Sequence, residues 1–136
     1  MKHILTSVVF VVLLFPALAL GEEVTFADLV ERDGLYYKKV TEVPFTGKVT
    51  GLQQGRFKNG VMEGPWVSYH ENGQLLSEGA FKNGKTEGPW VFYYDNGQLE
   101  MKGDFKNGER EGLWIDYYDN GQLKKKGNYK NGVKVD

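Results

Sequence analysis

Few side chains in this sequence could carry acid–base or nucleophilic chemistry. There is no cysteine, and one of the two histidines lies at position 3, which leaves His70 as the only imidazole in the body of the chain. A Ser-His or Cys-His device needs that base held between a nucleophile and an orienting group. The residues 24 and 48 positions further on are Tyr94 and Tyr118. The position therefore reads as a partly exposed aromatic one; no catalytic residue is assigned and no enzyme is expected.

Carboxylates are more plentiful. Glu71, Asp95 and Asp119 each precede an Asn-Gly pair, and Glu63, Glu87 and Glu111 each precede another glycine. Hard cations take several such oxygens. Acidic and amide side chains beside glycine also stabilise turns by bonding their own backbone, and the nonapeptide of calcium-binding β-rolls is missing from the sequence. The turn reading is preferred, with no metal and no cofactor expected. Lys58, Lys82, Lys106 and Lys130 recur beside Asn-Gly, and Lys124-Lys125-Lys126 with Lys134 make a basic end. Such a row could meet anionic lipid head groups; it could equally guard an exposed sheet edge against pairing with another chain.

The regular spacing points to the elements that must carry these residues. Residues 64–87 set over residues 88–111 give 15 identities in 24 positions without a gap, and residues 112–135 keep the same frame. Upstream, Gly55 to Gly60 repeats the second half of the unit, while its first half is replaced by Phe45-Thr46-Gly47-Lys48-Val49. The expected organisation is a leader hairpin over 22–46, a partial unit over 47–63, and three full units. Each unit holds two Asn-Gly pairs, a strong hairpin signal because both residues tolerate positive φ. The segments between are rich in Trp, Tyr, Val and Phe, which suit a pleated surface, and glycine recurs too often for helix. The chain is expected to be all-β, an elongated antiparallel meander of hairpins.

If Asn72-Gly73 is a two-residue loop, Glu71 pairs with Gln74, His70 with Leu75, Ser68 with Ser77 and Trp66 with Gly79. The glycine opposite each tryptophan then leaves room for a flat indole. This register places Trp66, Leu75, Phe81 and Trp90 on one face and Val67 with Tyr69 on the other. Burying one large aromatic contributes roughly 1.5–3 kcal/mol, so the first face is expected to hold the core. A three-residue turn would exchange the faces.

On the second face the repeated Tyr69, Tyr93 and Tyr117 stand with positions that change from unit to unit. These run Leu76, Glu78 and Ala80, then Glu100, Lys102 and Asp104, then Lys124, Lys126 and Asn128. Constant aromatics among changing charges suit a recognition surface on a repeat scaffold. The candidate partner-binding residues are Tyr69, Tyr93, Tyr117, Leu76, Glu78, Glu100, Lys102, Lys124 and Lys126. A merely solvated face is the alternative.

The recurring string Gly-x-Trp-x-x-Tyr-x-x-Asn-Gly-Gln-Leu-x-x-x-Gly-x-[Phe/Tyr]-Lys-Asn-Gly resembles the MORN-repeat variant. Proteins of this kind include those labelled YwqK-family antitoxins of toxin–antitoxin systems. The likeness covers Gly47 to Gly132, and Leu29 to Phe45 is similar to the leader that precedes such repeats. It implies an elongated antiparallel sheet that binds a partner, without a catalytic motif.

The first 21 residues differ from the rest. Lys2 and His3 precede an apolar run from Ile4 to Phe15, followed by Pro16 and then Ala17-Leu18-Ala19-Leu20-Gly21. This is the order of a cleavable signal peptide, and the run is shorter than the ~20 residues of a spanning helix. Cleavage is expected after Gly21, which gives an exported protein, periplasmic or extracellular. Removing Lys2 leaves 16 basic against 18 acidic residues, so nucleic acid is not an expected partner. The expectation is a monomeric scaffold that binds an as yet unidentified protein, antitoxin-like or immunity-like in role, or else a binder of an anionic lipid surface.

Overall fold

The computed structural model describes residues 22–136, so the expected signal peptide lies outside the described residues. The strands are β1 (Glu22–Thr25), β2 (Leu29–Arg32), β3 (Leu35–Lys38), β4 (Gly47–Thr50), β5 (Gln53–Lys58), β6 (Val61–Tyr69), β7 (Leu75–Lys82), β8 (Lys85–Tyr93), β9 (Leu99–Lys106), β10 (Glu109–Tyr117), β11 (Leu123–Lys130) and β12 (Val133–Lys134). From β4 onward each strand pairs with the next in one sheet, while β2 and β3 form a separate hairpin. The sheet is antiparallel throughout except at its start, where β1 lies parallel to β4. A parallel pair requires a long connection; the 3₁₀ turn Phe26–Asp28 and the β2–β3 hairpin supply it. Thr25 and Asp28 form a capping box on that turn, and the bonds from the Thr25 hydroxyl and amide hold the Asp28 carboxyl below the usual carboxylate range.

The two Asn-Gly pairs of each unit fold differently. At Asn83-Gly84 both residues are left-handed, with φ of 52° and 79°, and Lys82 pairs with Lys85 across them. This is the two-residue loop anticipated from the dipeptide. At Asn72-Gly73 only the glycine has positive φ. His70 N–H donates to Gln74 O at 2.8 Å and Gly73 N–H donates to His70 O at 2.9 Å, so Glu71, Asn72 and Gly73 make a three-residue loop. The Asn72 carboxamide accepts from Gln74 N–H at 2.9 Å, which holds Asn72 away from the left-handed region its namesake occupies at position 83.

This corrects the pairs expected next to the loop: His70 faces Gln74, and Leu75 stands opposite Tyr69 instead of lying on the tryptophan face. The larger loop does not exchange the faces, because a β-bulge offsets it. Tyr69 pairs with Leu75 but Ser68 pairs with Ser77, so Leu76 is left without a partner and Trp66 still meets Gly79. Loop and bulge together restore the register that a two-residue loop alone would give.

A second bulge places the indoles. Between the pairs Ala80–Glu87 and Glu78–Val91, the single residue Gly79 faces Gly88, Pro89 and Trp90. Gly88 has φ of 76°, and proline is tolerated there because a bulge leaves ladder positions unpaired. The bulge lays Trp90 over Gly79: a Cβ on that glycine would overlap the ring and sit 2.6 Å from Cγ. Trp66 covers Gly55 and Trp114 covers Gly103 in the same way. The glycine that makes room for each indole therefore lies eleven residues before it, on the strand behind, and is not its hairpin partner.

The indoles alternate with phenylalanines along one face. Centroid distances are 5.7 Å for Phe57–Trp66, 5.5 Å for Trp66–Phe81, 5.3 Å for Phe81–Trp90, 6.2 Å for Trp90–Phe105 and 4.9 Å for Phe105–Trp114. All five are near edge-to-face, a favoured geometry. Indole N–H groups donate to strand carbonyls, Trp90 to Ala80 O at 3.1 Å and Trp114 to Asp104 O at 3.0 Å. The leader closes the first end, with Phe26, Tyr36 and Phe45 packed around Phe57. At the other end the Arg110 guanidinium lies between Trp114 and Tyr129, 4.3 Å and 5.3 Å from the ring centroids. Lys134 lies against Gly127, where a further repeat would place a tryptophan.

Candidate interaction face

With the aromatics on one side of the strands, the intervening residues point to the other. Register pairs link Gln54 to Val67, Val67 to Glu78, Glu78 to Val91, Val91 to Lys102, Lys102 to Ile115 and Ile115 to Lys126. Residues directly opposite in a sheet share a face, so these seven form one continuous row crossing the strands, with polar and apolar residues in alternation. Glu78, Lys102 and Lys126 are exposed; Val67, Val91 and Ile115 are half-buried. Beside this row Pro65, Pro89 and Leu113 are also exposed. Tyr69, Tyr93 and Tyr117 follow two residues along from Val67, Val91 and Ile115 and are half-buried.

Two clefts open on this face. One of about 300 Å³ lies between Pro65 with Val67 and Pro89 with Val91. The second, of about 390 Å³, lies one unit further on, between Pro89 with Val91 and Leu113 with Ile115. These are small by the standard of ligand sites, which run to roughly 300–1,000 Å³.

The structure divides the sequence candidates into two groups. Glu78, Lys102 and Lys126 share the row with the branched aliphatics. Leu76, Glu100 and Lys124 instead occupy the bulges, skipped between the pairs Ser68–Ser77 and Tyr69–Leu75 and their equivalents in later units. A bulge interrupts the ladder, so these three have no cross-strand partner in the row. Sequence reasoning placed Val67 on this face but passed over Val91, Ile115 and the prolines, whose 24-residue recurrence carried the signal.

The other chemistry-bearing residues join one unit to the next. His70 Nε2 lies 2.8 Å from Tyr93 O; a carbonyl only accepts, so Nε2 carries the proton and donates. In the following unit Tyr94 Oη donates to Tyr117 O at 2.7 Å. Burial, with Glu100, Asp119 and Asp116 nearby, raises the Tyr94 hydroxyl above the usual tyrosine range. Asn72 and Asn96 likewise donate to Asp95 O and Asp119 O at 2.7 and 2.8 Å. Glu63, Glu87 and Glu111 each accept the backbone N–H of Asn83, Asn107 and Asn131 at 2.9, 2.9 and 3.1 Å. The evenly spaced acids thus clamp turns of the neighbouring unit.

A substitution series checks the role of His70. His70→Tyr should melt within about 0.5 kcal/mol of wild type, since tyrosine makes this bond one unit on. His70→Phe, which leaves Tyr93 O unpaired, should cost about 1 kcal/mol. Equal stability of the two variants in urea titrations would dismiss the bond as a stabilising element.

The fold is a scaffold of stacked β-hairpin repeats, with the aromatic stack on one side of the sheet and an open face on the other. The MORN repeat variant family matches at residues 62–83, 86–107 and 110–131, so the chain carries three consecutive MORN-variant repeats. No curated protein matches the chain.

Proposed function

We propose that this protein is an exported, non-catalytic scaffold that binds a protein partner across the face bearing Tyr69, Tyr93 and Tyr117. The observation that carries the reading is the continuous row from Gln54 to Lys126. It repeats one apolar position in every unit while its polar position changes from amide to acid to base. A constant frame with changing charges is how a repeat surface acquires specificity. In the antitoxin-like version of this reading, implied by the sequence resemblance, the partner is a toxin.

The exposed Lys58, Lys82 and Lys106 stand beside equivalent Asn-Gly turns and support a second reading, attachment to an anionic lipid surface. Capture from the exported fraction of the source organism separates the two. The immobilised wild-type protein should retain a protein partner at physiological salt, and the variant with Tyr69, Tyr93 and Tyr117 all changed to Ser should retain at least tenfold less. If anionic vesicles are retained instead, and are released by salt as screening over about 8 Å requires, the lipid reading replaces this one.

A further inference from the structure

We infer that the open face takes a proline-rich segment in the polyproline II conformation, laid across the strands with one turn of the ligand to each repeat unit. The inference rests on the protein-binding reading above and names the chemical class of the partner.

Spacing is the first argument. Neighbouring strands lie roughly 4.7–4.9 Å apart, so Glu78, Lys102 and Lys126, on alternate strands, recur every roughly 9.4–9.8 Å. Val91 and Ile115 fall midway between them in the same row. A polyproline II helix has three residues per turn at about 3.1 Å each, so one of its faces returns every about 9.3 Å. A charged residue at every third position then meets Glu78, Lys102 and Lys126 in turn, and the two residues between straddle Val91 and then Ile115. An extended β peptide brings one face round every roughly 6.6–6.8 Å, which falls out of step within one unit. Two turns of α-helix rise about 10.8 Å and drift by about 1 Å per unit.

The surface chemistry agrees with the spacing. The clefts are walled by Pro65 with Val67, Pro89 with Val91, and Leu113 with Ile115, rings and branched chains against which a pyrrolidine packs. Polyproline II segments are preformed and lose little conformational entropy on docking. Charge sets the order of the ligand. None of the ion pairs among the described residues engages Glu78, Lys102 or Lys126, so each is available to an opposite charge. Asp104 shares the face with Lys102, and Asn128, which binds the Asp136 carboxylate, holds the same place beside Lys126. The complementary sequence is a cation, two prolines, an anion, two prolines and an anion.

Fluorescence anisotropy on the purified exported protein tests this with labelled peptides. Arg-Pro-Pro-Glu-Pro-Pro-Glu, or the same sequence in the reverse chain direction, should bind at least tenfold tighter than Arg-Gly-Ser-Glu-Gly-Ser-Glu. It should also bind at least tenfold tighter than the register-shifted Glu-Pro-Pro-Arg-Pro-Pro-Glu. Lys102→Glu, an exposed change that leaves the aromatic stack untouched, should weaken the first peptide at least tenfold and strengthen Arg-Pro-Pro-Arg-Pro-Pro-Glu. Equal binding of the glycine-serine peptide would overturn the inference, leaving simple charge attraction. If no peptide binds while tyrosine-dependent capture of a protein persists, the inference fails and the protein-binding reading stands. If that capture is absent as well, both fail.

Discussion

Gly103→Val is expected to unfold the C-terminal half of the sheet under conditions where the parent is fully folded. A Cβ at position 103 would overlap the Trp114 indole and lie 2.6 Å from its Cγ. Trp114 cannot swing aside cheaply, because Arg110 covers its ring at 4.3 Å, Phe105 packs at 4.9 Å and Asp104 O accepts its N–H. Either the strands part or the indole is expelled, and losing a buried tryptophan costs roughly 3–5 kcal/mol. Gly127→Val is the matched control. Gly127 is also the hairpin partner of a tryptophan, but its Cβ would meet only the flexible Lys134 side chain, so this variant should cost less than about 1 kcal/mol. Urea midpoints of the two proteins check the contrast, and comparable losses would mean that the indole does not depend on the glycine beneath it.

Trp90→Ala should be nearly as damaging, and through folding alone. Trp90 is 5% exposed, the central indole of the three, and it touches Phe81, Phe92 and Phe105 at centroid distances of 5.3, 5.8 and 6.2 Å. Truncation leaves a cavity between two units and removes the bond to Ala80 O, a loss of roughly 3–5 kcal/mol. Single domains are stable by about 5–15 kcal/mol in total, so this loss removes a large share of the margin and should lower the melting temperature and the urea midpoint markedly. Trp90→Phe keeps an aromatic over Gly79 and should recover more than half of the loss in a thermal melt.

Much of this architecture is legible in the sequence because the repeat states it several times. The 24-residue period and the two-residue turn at Asn83-Gly84 follow from spacing and the left-handed tolerance of Asn-Gly. The Ser68–Ser77 and Trp66–Gly79 pairs hold although the two-residue loop expected at Asn72-Gly73 does not form, because a bulge restores its register. The loop at Glu71-Asn72-Gly73 does not follow from spacing, because the same dipeptide serves both turns and the Asn72 side-chain bond to Gln74 N–H is a tertiary detail of the loop. The bulge at Leu76 is hidden for the same reason, yet it preserves the faces that a lone three-residue loop would have exchanged.

Which glycine underlies which indole was also out of reach. A hairpin register names the cross-strand partner, whereas the ring leans onto the strand behind, by way of the bulge at Gly88-Pro89. Of the candidate site, the tyrosines and the charged positions 78, 102 and 126 were readable from two-residue alternation. The displacement of Leu76, Glu100 and Lys124 into bulges was not, since alternation assumes an unbroken ladder.

In the proposed reading one face holds the repeats together and the other binds the partner. Trp90 and Val91 are neighbours on β8, one in the aromatic stack and the other in the open row, so capture per folded molecule by Trp90→Ala and Val91→Glu, each with its fraction folded measured by circular dichroism, tests it most directly. Trp90→Ala should lose structure and capture in proportion, and Val91→Glu should stay folded while capture falls at least tenfold. A Val91→Glu protein that captures its partner as wild type does, or a Trp90→Ala protein that stays folded and loses it, would contradict the division of labour between the faces.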